Sequence, residues 1–544
     1  MKATFFFVVN AILFSQSLTA QIERAWVRTY EANAWEDPYA ITTDPLGNVY
    51  VTGNIYFKGA NHDIVTLKYT PSGNLEWAKS YSGTVPGWRQ GLCIAFYDGN
   101  LYVAGFSGED IHSGSGHFIV LKYTPAGDTV WTYTDDKAGL GMPYSMKIDQ
   151  QGNIILAGIN GDVFHSKLIT MKIDKNGHFL WFRTYDNNGL SHYNVMYDMC
   201  IDDHDNIYAT GSSSINNELN GYSDIVTIKY NTEGDSLWVK RVNGTGNYSN
   251  AGRRIIFDKP GSVYIGGNIG NAPDTYSNFE LLKYDTAGTL IWQREYKSIY
   301  DTPNLMNGME IDEAGNIYEE GTSEKAIDAM NKFMEIVKYN SNGDTLWTSN
   351  FNLPNAGVAG KMIMDDKANL FIIGNDDIEL SGGYNGFACK FDSSGVLKWY
   401  DEFDGPLHNT DSFRDFVLDN NNDVIVTGST YNDTTTGDIV TIKYMNSSLG
   451  LDRKANGNPC LRIDCFPNPA SGYTTINYYL PVEGEPIIRV LDMLGHPVSA
   501  LKRGKQTAGN HTFRYNASGL KAGIYFISLE LNYQIKTEKF CVAQ

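Results

Sequence analysis

Between residues 35 and 446 the chain alternates short apolar or aromatic runs with polar, glycine-bearing breaks, and within the runs the hydrophobic period is two rather than helical. The first unit shows the logic. Ala40 to Thr43 is a short apolar strand that ends in Asp44-Pro45-Leu46-Gly47-Asn48. In such a turn the Asp carboxylate caps nearby backbone N–H groups and the Gly takes positive φ, which predicts a tight hairpin into Val49 to Thr52. A variable stretch follows, then Ile64 to Tyr69, a second Gly turn, and a strand carrying Trp77. Each unit is therefore predicted to hold four antiparallel strands.

The unit recurs. Lys68-Tyr69, Gly73 and Trp77 return as Lys122-Tyr123, Gly127 and Trp131, and again from Lys172 to Trp181, Lys229 to Trp238, Lys283 to Trp292, Lys338 to Trp347 and Lys390 to Trp399. An eighth copy, Lys443-Tyr444, has no Trp after it. The turn signature recurs at Asp149, Asp202, Asp258, Asp312, Asp365 and Asp419, with Phe96 read in the Asp place of the second copy. The Trp positions lie 50 to 57 residues apart, a period that suits propeller blades better than a helical solenoid. One four-stranded unit cannot bury both of its faces, so neighbours must stack around an axis. A spare Trp strand, Ala25 to Tyr30, stands ahead of the first unit and fits as the outer strand of the eighth. The fold class read here is all-β: an eight-bladed β-propeller over residues 21–446, clasped by pairing of its N- and C-terminal strands, which removes open sheet edges.

Asp-x-x-Gly-Asn-Val-Tyr-Val-Thr-Gly followed by Lys-Tyr-x-x-x-Gly-x-x-x-Trp resembles the bacterial β-propeller repeat family called SBBP, a family with no single known activity. The Gly-x-x-x-Trp hairpin also resembles the tryptophan-docking motif of quinoprotein dehydrogenases. Their adjacent Cys-Cys pair and Cys-x-x-Cys-His site are missing from this sequence, so no cofactor is expected.

At both ends the pattern breaks. Residues 1–20 read as a secretory signal, with Lys2, an apolar core from Phe5 to Ser15, and Leu18-Thr19-Ala20 before the cut. No later run reaches the length of a membrane-spanning helix, so no transmembrane segment is expected. Residues 447–459 form a polar, Gly-containing linker, and residues 460–544 read as a small antiparallel β-sandwich with strands at 474–480, 487–491, 511–515 and 524–531. Pro467-Asn468-Pro469, Val490 to Gly495 (with Asp492) and Leu520 to Tyr525 (with Gly523) resemble the type A sorting domain of the type IX secretion system. That resemblance implies the secretion machinery as a partner, passage through the Sec route, translocation across the outer membrane, and often removal of the domain with attachment to the cell surface.

Charge narrows the partners. The chain carries −19; the last domain, from Cys460, holds nine Lys and Arg against six Asp and Glu, which leaves −22 for everything before it. An acidic body of that size repels nucleic acid and anionic membranes. Cys93, Cys200 and Cys389 fall in predicted strands as buried thiols, while Cys460, Cys465 and Cys541 share the last domain, where one pair is able to bridge and the pairing stays open.

No nucleophile elbow, zincin or phosphate-loop motif occurs. Asp419, Asn421 and Asp423 have the spacing of the first calcium-loop ligands, but no Gly follows and no Glu closes the loop, so turn capping is the simpler reading and no metal is expected. Strand order puts the regular Asp and Gly turns on one face and the variable loops on the other. The variable loops hold Trp88, Arg89, His192, Tyr193, Tyr248, Tyr300 and His408. Binding groups concentrate on such loops, the alternative being solvated decoration. Four positions before the turn Asp, the inner strands carry Asp198, Arg254, Lys361 and Asp415, where other units have Ala40, Leu92, Ser145 and Gly308; in the sixth unit Glu319 and Glu320 replace residues such as Val51 and Thr52. Charges near a channel mouth serve a polar ligand, a cation or an acid/base pair, or else bridge neighbouring blades. Three functions stay open: a surface-displayed propeller binding a glycan or protein through its loop face, an extracellular polysaccharide lyase or hydrolase using carboxylates at the channel mouth, and a structural adhesin or spacer. Removal of the chain from Cys460 onward is expected to leave a folded propeller that no longer reaches the cell surface of its native host; display of the truncated chain would contradict the sorting assignment.

Overall fold

The computed structural model describes residues 22–542 except 58–60, 84–86, 109–115, 136–140, 162–165, 188–193, 215–221, 245–248, 271–276, 299–304, 326–327, 353–356, 379–382, 432–436, 447–461, 467–469, 471, 481, 493–496 and 532–533. The signal segment and the linker of the sequence reading thus lie outside the described residues. Two compact units divide the chain, Met1–Ser447 and Ser448–Gln544.

Among the described residues of the first unit all regular structure is strand, arranged as eight four-stranded antiparallel sheets. Blade 1 runs Trp35–Thr43, Val49–Phe57, Asn61–Tyr69 and Leu75–Tyr81 in sequential order. Blades 2 to 7 repeat this order from Trp88, Gly141, Asn194, Ala251, Leu305 and Val358. Blade 8 takes Ser412–Leu418, Val424–Tyr431 and Gly437–Met445 and completes itself with Glu23–Tyr30 on its outer edge. Trp26 pairs with Lys443, so the first strand of the chain belongs to the last blade. The first strand of every blade lies against the first strand of the next, and the first strand of blade 8 lies against that of blade 1. The apolar second and third strands fill the layers between blades; Ile207–Ser214 and Ser223–Tyr230 are buried along their whole length.

One clamp joins blade to blade. The indole N–H of Trp77 and the ammonium of Lys68 both donate to the carbonyl of Pro125, each at 3.1 Å, in the Gly turn of the following blade. Trp238 and Lys229 converge in the same way on Thr286 O, at 3.2 and 3.0 Å. The turn needs glycine: Gly127 sits at φ +84°, and a Cβ there would lie 2.9 Å from the Trp77 ring. Lys68, Lys122, Lys229, Lys283, Lys338 and Lys390 also pass over an aromatic ring of their own blade, as Lys229 does 4.8 Å above Tyr208. At the join of the array Trp26 donates to Pro71 O at 3.1 Å and packs on Gly73, so the last blade docks on the first by the same indole contact, while Lys443 stays with Asp419 and Asp423 of its own blade.

The Asp turn behaves as its chemistry predicts. Asp44 Oδ1 accepts from Leu46 N and Asn48 N, and Oδ2 from the Asn48 amide and the Tyr50 hydroxyl. Asp419 caps Asn421 N and Asp423 N, while Lys443 bridges Asp419 and Asp423, so these carboxylates spend their charge inside the blade. Blade 2 corrects the alignment by one residue. Its turn is shorter, Tyr97 rather than Phe96 stands in the Asp place, and Cys93 rather than Leu92 opposes Ala104 where Ala40 opposes Thr52 in blade 1. Hairpin length set this register, and a one-residue slip exchanges the two faces of a strand.

The second unit holds two sheets. One joins Arg462–Phe466, Tyr473–Leu480 and Gly509–Asn516; the other orders Pro497–Lys502, Ile487–Leu491, Gly523–Leu531 and Gln534–Val542. Ile476 and Leu480 from the first share a core with Ile488, Val490, Ile527 and Leu529 from the second, which makes a sandwich. Trp26→Ala is expected to lower propeller stability by about 3–5 kcal/mol, as removal of a buried indole does, and Trp77→Ala by a similar amount because the clamp is the same. Urea unfolding of the two variants measures this; a Trp26→Ala protein as stable as the parent would contradict the docking of blade 8 on blade 1.

Candidate functional site

Antiparallel order puts the Asp and Gly turns on one face of the disc, where inter-blade docking occupies them. The opposite face carries the starts of the innermost strands and the joins between second and third strands. Of the sequence-predicted loop residues, His192, Tyr193, Tyr248 and Tyr300 lie outside the described residues. Trp88 opens the innermost strand of blade 2, and its ring stacks on His62 at 3.7 Å. His62 is buried, and desolvation holds its imidazole below the ordinary value, so it stays neutral near pH 7. Arg89 turns inward instead: its guanidinium lies against Gly83 and donates to Gly87 O, tying down the loop before the strand. His408 sits exposed at φ +51° in the join between blades 7 and 8 and pairs with Asp404 at 2.6 Å.

A strip of rings that the sequence reading passed over extends Trp88 and His62 across this face. Tyr56 lies 4.4 Å from His62, and Trp35 is its cross-strand partner in blade 1. The Trp35 ring meets Tyr431 of blade 8 edge-on at 5.5 Å, and its indole N–H donates to Asp37 Oδ2 at 3.0 Å. Asp37 Oδ1 in turn accepts from Ser429, so the Trp35 ring is held in place. Trp35 is 37% and Tyr56 39% exposed. These aromatics stand at strand ends rather than inside the variable loops, where the sequence search had looked.

The innermost strands carry the second feature. Each has a β-bulge, at Pro38/Ala40, Pro143/Ser145, Met196/Asp198, Gly252/Arg254 and Phe413/Asp415 among others. Side chains at several of these bulges meet a neighbouring blade. Tyr144 meets Tyr197 edge-on at 6.3 Å, Arg253 lies 4.5 Å over the Tyr197 ring, and Gln90 donates to the Tyr39 hydroxyl. Beside the bulge, Asp198 accepts from Ser145 of blade 3 and from Ile255 N of blade 5, and Asp415 accepts from Ile41 N of blade 1 while pairing with Lys361 of blade 7. Both carboxylates therefore brace three consecutive blades. Two positions further along the strands are Lys147 and Glu310, which the sequence reading missed although the strand period puts them in line with the charges it did select. Burial pushes the Glu310 carboxyl up to about 7, with Arg254, Lys147 and Lys361 pulling it down and Asp198 raising it. Charges from blades 3, 4, 5 and 7 thus act on one group of blade 6.

Glu319 and Glu320 are not an acid/base pair. They are consecutive in a strand and point to opposite faces of blade 6: Glu319 toward Gly266 of blade 5, Glu320 toward Gly308 and the layer facing blade 7. Both are fully buried, and desolvation pushes each carboxyl up to about 8. Glu280, also buried, is pushed to about 8 for the same reason, and Glu335 is raised while it accepts from Ser298. The carboxyls of Glu280, Glu319 and Glu320 bind their protons in the folded chain up to about pH 8 but release them near pH 4.3 when unfolded, so stability falls as pH rises across that window. The melting temperature of the propeller is expected to decline from pH 5 to pH 9, a penalty on the order of a few kcal/mol per carboxyl. Glu319→Gln and Glu320→Gln should each flatten the decline and exceed the parent at the alkaline end. A parent profile that rises over this range would refute the assignment of neutral buried carboxyls.

Of the sorting-tail residues, Asp492 follows the strand Ile487–Leu491, Gly523 opens the strand Gly523–Leu531, and the Tyr525 hydroxyl donates to Lys521 O at 3.0 Å; Pro467, Asn468, Pro469 and Gly495 lie outside the described residues. Residues 464–543 match the secretion system C-terminal sorting domain, and residues 36–57, the first hairpin of blade 1, match the SBBP β-propeller repeat. No curated protein matches the chain. Among solved structures, PorZ, an essential bacterial surface component of the type-IX secretion system of Porphyromonas gingivalis, is 11% identical with a TM-score of 0.37, over 93% of this chain and 74% of that one. The polysaccharide lyase Uly1 is 12% identical with a TM-score of 0.41, over 78% of this chain and 100% of that one, and the apocarotenoid oxygenase of Synechocystis is 12% identical with a TM-score of 0.38, over 71% and 94%. With a matched repeat in blade 1 and a matched tail behind the array, this chain carries an SBBP β-propeller repeat and a type IX sorting domain, which marks it as a protein secreted or held at the cell surface.

Proposed function

We propose that the propeller is a glycan-binding module whose ligand lies on the variable-loop face, across the strip Tyr431, Trp35, Tyr56, His62 and Trp88. The single observation that carries this reading is the strip itself. Sugar rings present apolar C–H faces that pack on aromatic side chains, and partly exposed rings fixed by hydrogen bonds and stacking lose little entropy on binding. The regular-turn face offers no comparable surface, since its Trp and Lys side chains are engaged by the next blade. A hydrolase needs two carboxylates converging on one space, and Glu319 and Glu320 diverge. The spacer reading predicts no ligand at all.

Titration of the purified propeller against a broad oligosaccharide panel tests the proposal. Trp35→Ala and Trp88→Ala are each expected to cost about 1–3 kcal/mol of binding, in the range of interface anchors. Asn48→Ala and Asn316→Ala, in turns of the opposite face, should leave the affinity unchanged. Loss of binding in the Asn variants with intact folding puts the ligand on the other face, and a panel without any binder favours the spacer.

A further inference from the structure

We propose that His62 is the positioning residue of the glycan-binding strip and makes binding depend on pH: the neutral imidazole holds Tyr56 and Trp88 in one surface, and protonation of that ring takes the surface apart. The proposal rests on the glycan reading above and adds the regulation of the same site.

Ring geometry is the first observation. The strip crosses from blade 1 to blade 2 at His62, whose ring lies between Tyr56 at 4.4 Å and Trp88 at 3.7 Å, with its plane only 22° from that of Trp88. Tyr56 and His62 are direct cross-strand partners, and His62 N donates to Gly87 O at 3.0 Å. The residue is therefore tied to both blades, by main chain as well as by ring. It is 5% exposed, while Tyr56 beside it stays open to solvent. A ring so enclosed fixes the planes of its neighbours and offers a ligand little surface of its own.

Hydrogen bonding is the second. Nδ1 lies 3.4 Å from the Asn54 amide, and Nε2 is buried with no hydrogen-bond partner among the described residues. A neutral imidazole accommodates this, because it leaves one nitrogen as a bare lone pair. The cation carries N–H on both nitrogens, so it buries an unanswered donor together with a charge. Several groups around it favour the proton: the ring faces of Tyr56 and Trp88, the Asp37 carboxylate from the first strand of the blade, and Asp63 from its own strand. Arg89 of blade 2 turns its guanidinium to Gly83. Desolvation outweighs the favourable groups and holds the imidazole below its ordinary value. In an opened strip the ring meets water and titrates near its ordinary value of about 6.5. The opened strip thus takes up a proton more readily than the assembled one, and falling pH through that range shifts the population toward it. The buried glutamates act in the opposite sense, strengthening the fold as pH falls, so loss of binding in acid is not loss of the propeller.

The test titrates the mature chain with the oligosaccharide panel, cello-, xylo-, chito- and galacturono-oligomers among them, at about pH 7.5 and about pH 5, on either side of the imidazole range. Acrylamide quenching of Trp88, read as the difference between the parent and Trp88→Phe, is measured at both pH values without sugar. Affinity for the sugar that binds should fall by about tenfold from the higher pH to the lower, the scale of one linked proton over one pH unit, and quenching of Trp88 should rise. His62→Phe keeps a flat ring with nothing to protonate, so its affinity, whatever its size, should be the same at both pH values. The quenching measurement needs no change at His62 and decides the matter if the Phe variant does not fold. Affinity and Trp88 quenching of the parent that stay level between the two pH values, while Trp35→Ala weakens binding, would overturn the pH dependence and leave the glycan reading standing. An equal fall in the parent and in folded His62→Phe would place the proton on another group and overturn the role of His62. Trp35→Ala binding like the parent, or a panel without any binder, would remove the two together.

Discussion

In blades 2 to 6 a carbonyl oxygen of the Gly turn receives two donors from the blade before it, an indole N–H and an ammonium, and this contact organises the propeller. It explains why Lys, Gly and Trp recur together. The Trp ring lies flat on the turn, which leaves no room for a Cβ at the glycine, and the Lys reaches the same oxygen after crossing an aromatic ring of its own blade. The contact points one way around the array, from each blade to its successor. An array built on it carries an unmatched turn at its start and an unmatched need for Trp at its end. Trp26 answers both, since it supplies the missing ring to blade 8 and docks on the turn of blade 1.

Docking of this kind divides the labour of the two faces. The turns of one face are committed to neighbouring blades, and their sequence is uniform for that reason. The other face and the axis are released from that constraint, and there the blades differ. Blade 1 and its neighbours gather rings. The innermost strands gather charge, with Asp198 and Asp415 bonded to the strands of the next blade. The sorting tail sets the setting in which such a surface works, outside the cell.

Buried carboxyls are the exception to economy in the blades. Glu280, Glu319, Glu320 and Glu335 occupy layers that other blades fill mostly with apolar residues or Thr; burial raises all four carboxyls and keeps the first three protonated near pH 7. In that form they pack as polar but uncharged groups, and the cost appears only as pH rises. They cluster in blades 5 and 6, whose innermost strands carry Arg254 and Glu310.

The period of the Trp, the turn chemistry of Asp-x-x-Gly-Asn, the spare strand at Trp26 and the sorting motif near Asp492 and Tyr525 were all legible from residue order, because each is a local rule repeated or a motif of fixed spacing. What lay beyond it depended on contacts across blades. The shorter turn of blade 2 moved Tyr97 and Cys93 into places assigned to Phe96 and Leu92, since strand register follows hairpin length rather than resemblance of the turn. Bulges added one residue to each innermost strand, at Tyr144, Tyr197 and Arg414 among others, which a strict alternation of two hides. Glu319 and Glu320, adjacent in sequence, part to opposite faces because a strand alternates, while Lys147, Arg254 and Glu310, far apart in sequence, act on one another because eight blades share one axis. Local order specified the blade and its neighbour-docking contact; only the assembled ring decided which side chains meet.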